Sequence, residues 1–303
     1  MEYGAHLPLI DFGAGFSRRR LKAYARAAAE SGYRYLCAND HLLYPMPWLD
    51  GPTSLAALIE ESGDLTLATT VSLPVLRGPV QLAKTLAALD VLSDGRLVVG
   101  VGPGSSARDY AALGLPFDDR WRLFNEAVPL LRSLLEGGEA DLDLEPRSPQ
   151  RPGPPIWIGS WGSPAGLRRV ARLGDGWLAS AYNTTPDEFA GGRDRLGAAL
   201  LEAGKEPTSF PNALATSWLY VDDDPAGVER VLADVLAPML NRPVDALRAL
   251  SLPIGPAEVC AERLSAFAAA GVERVFLWPL EDDVRQLELF QSRVAPLVSR
   301  RSV

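Results

Sequence analysis

The chain has 303 residues, a formal net charge of −8, 47% hydrophobic and 22% charged residues, and only two cysteines and two histidines. That balance supports a sizeable core and argues against a disordered chain, while the acidic excess repels phosphate backbones and argues against nucleic acid as a partner. No run approaches the ~20 apolar residues of a membrane helix; Met1 to Pro8 holds no basic-then-apolar leader, and Cys37 and Cys260 form neither a disulfide framework nor a zinc cluster, so a cytoplasmic protein without membrane contact or bound metal is expected.

In chain order, apolar runs rich in β-branched or aromatic residues predict strands at Gly4 to Ile10, Arg34 to Asn39, Leu65 to Ser72 and Arg96 to Val101. Four more follow at Pro155 to Gly159, Gly176 to Ala181, Ala215 to Val221 and Arg274 to Trp278. Helical periodicity fills the intervals. Ser17 caps the first helix, which stops at Gly32; Thr185-Pro186-Asp187-Glu188 and Asp224-Pro225 each offer a cap followed by proline at the first helical position. Gly255-Pro256-Ala257-Glu258 opens the last long helix, which closes at Gly271. Strands alternating with helices make a parallel sheet covered by helices, and eight of them favour closure into a (β/α)8 TIM barrel, one α/β domain over residues 1–303. Two stretches exceed the repeat. Glu139 to Pro154, rich in Pro, Asp and Glu, reads as an exposed excursion, and Asp222 to Leu252 as a helical insertion that shapes the pocket at the strand carboxyl ends.

Polar residues at those strand ends point into one shared mouth. The second strand ends in Asn39-Asp40-His41, the third passes Thr69-Thr70 before Ser72, the fourth enters Gly100-Val101-Gly102-Pro103-Gly104-Ser105, and the fifth enters Gly159-Ser160-Trp161-Gly162-Ser163. His41 can exchange a proton near pH 7, with Asp40 beside it to bias that proton; the plainer reading is a loop-capping histidine, and the strand-end position favours function. His6 lies earlier in its strand, where a packed interior role competes with ligand contact. The fifth-strand loop precedes a helix starting near Pro164, a geometry that binds phosphate through backbone N–H groups, or a tight turn that simply needs glycine. Pro103 interrupts the dinucleotide fingerprint of the glycines at 100, 102 and 104, so close approach of backbone to a flat ligand explains them as well. Motifs for metal hydrolysis or a serine nucleophile are absent.

These pieces, in order, resemble the luciferase-like oxidoreductase family. The resemblance rests on Ala38-Asn39-Asp40-His41, Trp48-Leu49-Asp50, Leu67-Ala68-Thr69-Thr70-Val71 and Pro79-Val80-Gln81-Leu82-Ala83-Lys84. It continues through Leu89-Asp90-Val91-Leu92-Ser93-Asp94-Gly95-Arg96, Gly100-Val101-Gly102, Pro155-Ile156-Trp157-Ile158-Gly159, Asp175-Gly176-Trp177 and Gly255-Pro256-Ala257-Glu258-Val259, nearly the whole chain. It implies a barrel that binds a flavin or the deazaflavin coenzyme F420. The Asp-His strand end is similar to the branch using F420, with FMN as the alternative. By position the resemblance implies that Asp40 touches the cofactor ring, that His41 is the catalytic residue beside its hydride-carrying carbon, and that a cis peptide at Thr70-Val71 makes a bulge behind the ring. Leu73, Gly102, Pro103 and Gly104 complete the ring side, and Gly159, Ser160, Trp161, Gly162 and Ser163 the phosphate side, with Arg108, Arg168 and Arg169 near it. His6, Tyr44, Trp48, Ser105 and Trp278 are the expected substrate pocket.

Two departures stand out: Ser105 replaces the glutamate, and Pro45 the tryptophan, of the sugar-phosphate dehydrogenase type. With no acid at 105, proton exchange is expected to depend on His41 alone. The expected activity is hydride transfer between F420 and a small organic substrate. The alternatives are an FMN-dependent monooxygenase fed by a separate cofactor reductase and a barrel that binds without catalysis; a homodimer is the expected assembly.

Overall fold

A computed structural model describes residues 1–13, 15–138 and 142–298. Nine strands run parallel: β1 (Glu2–His6), β2 (Tyr35–Ala38), β3 (Thr66–Ser72), β4 (Leu97–Val101), β5 (Ile156–Gly159), β6 (Gly176–Ser180), β7 (Asn212–Val221), β8 (Ile254–Gly255) and β9 (Arg274–Pro279). Pairing proceeds β1 through β7 in order, β7 pairs with β9, and β9 returns to β1, which closes an eight-stranded barrel. The short β8 stays outside this ring and pairs only with the end of β7, Tyr220 opposite Ile254. Helices cover the outside, so the strands are apolar on both faces, as Leu97-Val98-Val99 shows.

The barrel interior is filled by Cys37, Ala68, Trp157, Leu178, Ala213, Ala215 and Phe276, small residues alternating with large ones across facing strands. Helix starts follow the capping chemistry. Ser17 accepts from the Arg20 N–H, Thr185 and Glu188 form a reciprocal capping box, and Asp224 accepts from Ala226 and Gly227. Each such cap contributes about 1 kcal/mol. The helix Ala257–Ala270 ends at Gly271 with φ 97°, a left-handed residue that glycine adopts without a Cβ clash.

Four expectations change. The first strand stops at His6 instead of Ile10, because Pro8 has no N–H to continue a ladder; Ile10 instead forms an antiparallel bridge with Trp48. The seventh strand starts at Asn212, whose side chain is tied to Gly271 O and the Glu273 N–H. The sixth ends at Ser180, where a 3-10 turn begins. In the excursion before β5, residues 139–141 lie outside the described residues, and the part that follows is not wholly exposed. Buried Ser148 donates to Asp90 at 2.5 Å, and Gln150 donates to Asp90 and to Leu97 O, both at 2.8 Å. Asp90 is fully buried, and these donors are what its carboxylate needs there.

The insertion after β7 holds the helices Pro225–Arg230, Ala237–Leu240 and Val244–Arg248, with a π-turn between the first two. It leans on the mouth. Tyr44 donates its phenol proton to Met239 O at 2.9 Å, and Arg242 donates to Tyr182 O and Asn183 Oδ1. Among the described residues no helix is long and apolar enough to cross a membrane.

Candidate active site

At the carboxyl ends of the strands lies a cleft of about 430 Å³, within the size range of cofactor sites. Its floor is shaped by β3. The Thr70–Val71 peptide is cis, and the β3–β4 register shifts between Thr69 and Ser72, so the strand bulges where the resemblance placed the bulge. The glycines beside it make room for that bulge. A Cβ on Gly100 would collide with Thr69 O, and one on Gly102 would lie 2.9 Å from Val71 Cγ2. Close backbone approach, not a dinucleotide fingerprint, therefore accounts for these two glycines.

β2 delivers Asp40 and His41 to the cleft. Asp40 is buried and both its oxygens are taken by Arg77, at 2.5 Å from Nε and 2.7 Å from Nη2. Arg77 also bonds Asp50, and these partners, Asp40 first, hold its guanidinium above its ordinary pKa. The Asp40 charge is thus already compensated.

His41 sits against the rings of Tyr44 and Trp48, with centroids at 4.9 and 4.6 Å. Burial lowers its pKa, opposed first by the charge of Asp109 and then by that of Asp40. Asp109, which carries no sequence motif of its own, lines the cleft and is only 1% exposed. Its Oδ2 is 3.9 Å from His41 Nδ1. A signal was nonetheless present: Ser106 begins a helix and caps it by accepting from the Asp109 N–H, which turns the Asp109 carboxylate back toward the helix start.

Of the expected cofactor residues, Asp40, Thr70, Val71, Leu73, Gly102, Pro103, Gly104, Gly159, Ser160, Trp161 and Ser163 line the cleft, and Ser105 joins them. Gly162 and Arg108 do not; Arg108 is exposed on the short helix Ala107–Ala112. Arg120 lines the cleft in its place, donating to Phe117 O with its guanidinium 4.1 Å over the Phe117 ring. Neither Arg120 nor Thr216, another lining residue, carries a sequence motif. Thr216 has φ 53°, an uncommon conformation for a β-branched residue, and shares a 2.8 Å hydrogen bond with Ser180 across the cleft wall. At the loop after β5, Ser163 caps the helix Pro164–Leu173, and Ser160 accepts from the Gly162 N–H.

The expected substrate residues separate. His6, Tyr44, Trp48 and Trp278 do not line this cleft. His6 stacks on Trp278 at 3.6 Å, Trp278 stacks on Trp218 at 4.2 Å, and Trp48 meets Trp278 edge-on. The group is an aromatic wall behind His41. His6 is buried, its Nδ1 is 2.8 Å from Leu7 O, and burial pushes its pKa down to about 3; the packed reading of this histidine fits best.

Three polar atoms of cleft-lining residues are buried without a protein partner: Thr70 Oγ1, Asn39 Oδ1 and His41 Nδ1. Buried polar atoms are normally satisfied, so unpartnered ones beside a preformed cleft fit a flat ligand with a polar edge. The model for luciferase-like monooxygenases matches residues 5–274. This chain belongs to that family. It is 29% identical over 233 residues to the F420-dependent hydroxymycolic acid dehydrogenase of Mycobacterium tuberculosis (strain ATCC 25618 / H37Rv), an alignment covering 70% of this chain and 61% of that protein. The chain thus spans less than two thirds of that relative's length. An F420-dependent secondary alcohol dehydrogenase, solved with an F420-acetone adduct, superposes with a TM-score of 0.84 at 20% identity over 98% of this chain and 99% of the other. Monooxygenase RslO1 from Streptomyces bottropensis does so with 0.80 at 23% identity, over 99% and 100%. At these identities the family member shares its fold with both.

Proposed function

We propose that this protein is an oxidoreductase that transfers a hydride between coenzyme F420 and a small organic substrate. The observation that carries the reading is the cleft's ring side, where the Val71 bulge, cleared by Gly100 and Gly102, lies with Asp40 and His41 in one pocket. Relatives named for F420 chemistry support it.

Bound F420 would supply the carbon that accepts or donates the hydride, so the protein contributes position and electrostatics. Val71, which lines the cleft, would support one face of the ring. Asp40, fixed by Arg77, offers its carboxylate edge without rotating. Thr70 Oγ1 and Asn39 Oδ1 gain partners when the cleft is filled. For the anionic part of the ligand, the positive end of the helix starting at Pro164 would face it, although Ser163 already takes the Gly166 and Leu167 N–H groups, and Arg120 brings a cation with no carboxylate partner among the described residues. His41, kept neutral by burial at pH 7, takes a proton from a substrate hydroxyl or returns it. The aromatic wall behind it limits water. We include a homodimer in the proposal, supported by Val80, Val91 and Leu92, exposed on the helix Pro79–Leu92.

Titration of the purified protein with F420 and with FMN, followed by fluorescence, tests the reading. F420 is expected to bind at least about tenfold more tightly, a difference near 1.4 kcal/mol. Preference for FMN would make the protein a monooxygenase that needs a partner reductase, and binding of neither would end the proposal.

A further inference from the structure

Burial lowers the pKa of His41, and the charges facing it oppose that shift, so they decide its state. Four groups surround it. Asp40, next to it in the chain, has both oxygens on Arg77, and Arg77 is shared with Asp50. Tyr44 presents its ring and gives its phenol proton to Met239 O. Asp109 faces it from the helix Ala107–Ala112.

Asp109 differs from the others. Its carboxylate accepts from the Leu42 N–H at 3.4 Å, the Leu43 N–H at 3.2 Å and the Ser106 hydroxyl at 3.0 Å, all neutral donors. Among the described residues no lysine or arginine lies within ion-pair distance of it, and its side chain is 1% exposed. The charge is buried and has no cation. The atom nearest to a remedy is His41 Nδ1 at 3.9 Å, itself buried and without a hydrogen-bond partner. The part of the ring that stays accessible is its other edge, since a quarter of the side chain remains exposed while Nδ1 does not. Distances of this kind shorten in occupied sites.

We propose that Asp109 is the positioning residue of His41: it holds a proton on Nδ1 and so leaves the Nε2 lone pair as the one that exchanges a proton with the occupant of the cleft. A proton taken at Nε2 makes an imidazolium whose charge Asp109 balances, and it leaves by the same atom. A carboxylate four residues beyond Ser105 thus stands beside His41 where position 105 offers none, and His41 does not act alone.

The test is ¹⁵N NMR of the free, uniformly labelled protein. The chain has only two histidines, and His6, pushed down to about 3, stays neutral where His41 titrates. The neutral His41 ring is expected in the Nδ1–H form. Asp109→Asn is expected to lower its midpoint by about one pH unit, the smaller end of the effect of an opposite charge at this range, and to shift the ring toward the Nε2–H form. Asp109→Glu restores part of both. A wild-type ring in the Nε2–H form, or midpoints for wild type and Asp109→Asn that agree, would overturn the pairing. Because Leu42 and Leu43 lose an acceptor in the variant, the wild-type tautomer decides on its own if Asp109→Asn does not fold. The consequence for turnover rests on the deazaflavin reading: the acid limb of kcat should move to lower pH by the same amount as the NMR midpoint. A protein that binds no F420 would end that reading, whereas the role of Asp109 would still stand or fall on the NMR result.

Discussion

His41 shows how much one side chain's role depends on groups far from it in sequence. Its ring touches Tyr44 and Trp48 from its own loop, while the carboxylate that faces it comes from residue 109. Replacing His41 with Ala should lower kcat by about a hundredfold or more, the usual worth of a placed acid or base. F420 affinity should change by less than about threefold, because the ring side of the cleft is built by Val71, Asp40 and the glycines. Steady-state kinetics beside a binding titration would check this, and equal loss of both would make His41 a binding residue. The histidine itself was legible, since it is a polar residue at a strand end. Its partner was not, because Asp109 reads locally as an ordinary first-turn acid, and only the fold turns that turn toward His41. Arg120 was missed for a related reason: it starts a long helix with a solvated pattern, and its place in the cleft depends on how that helix packs.

At the scale of elements, the strand and helix pattern was readable because each strand is a short apolar run and most long helices carry a chemical start signal. What failed was local: Pro8 ended β1 early, and the two-residue β8 is too short to have a periodicity. The β3 bulge was legible only through resemblance, as nothing in Thr-Thr-Val by itself asks for an irregular strand. Its fit against β4 makes a prediction. Gly102→Ala would set a Cβ 2.9 Å from Val71 Cγ2, tighter than real contacts allow. Overpacking of this kind costs about 1 to 3 kcal/mol, and because Val71 lies in the cleft, part of that cost should appear as weaker F420 binding. Denaturant unfolding and a binding titration of the same variant would separate the two parts; unchanged affinity would place Val71 away from the ligand.

For the molecule as a whole, closure by β9 between β7 and β1 gathers the ends of β2 through β7 around one cleft and buries His6 in the aromatic group behind His41. That burial has a pH signature. His6 has a native pKa of about 3, whereas an unfolded histidine takes up its proton below about 6.5. The unfolded chain therefore binds the extra proton first, and stability is full above about 6.5, falls as pH is lowered and levels off below about 3. Between pH 7 and pH 4 the loss from His6 alone is about 3 kcal/mol. Urea unfolding at the two pH values should show it, and His6→Gln should remove that share of the difference. If the difference is the same in the variant, the native pKa of His6 is not depressed.

The insertion between β7 and β9 meets the mouth through one of its own main-chain oxygens and through the side chain of Arg242. Tyr44 binds the carbonyl of Met239, and Arg242 reaches back to the carbonyl of Tyr182. Every amino acid offers such an oxygen, so mutations in the insertion can accumulate without breaking the Tyr44 attachment. Position 239 can thus drift without loosening the insertion from Tyr44, whereas position 242 holds Tyr182 and Asn183 only as long as it remains an arginine.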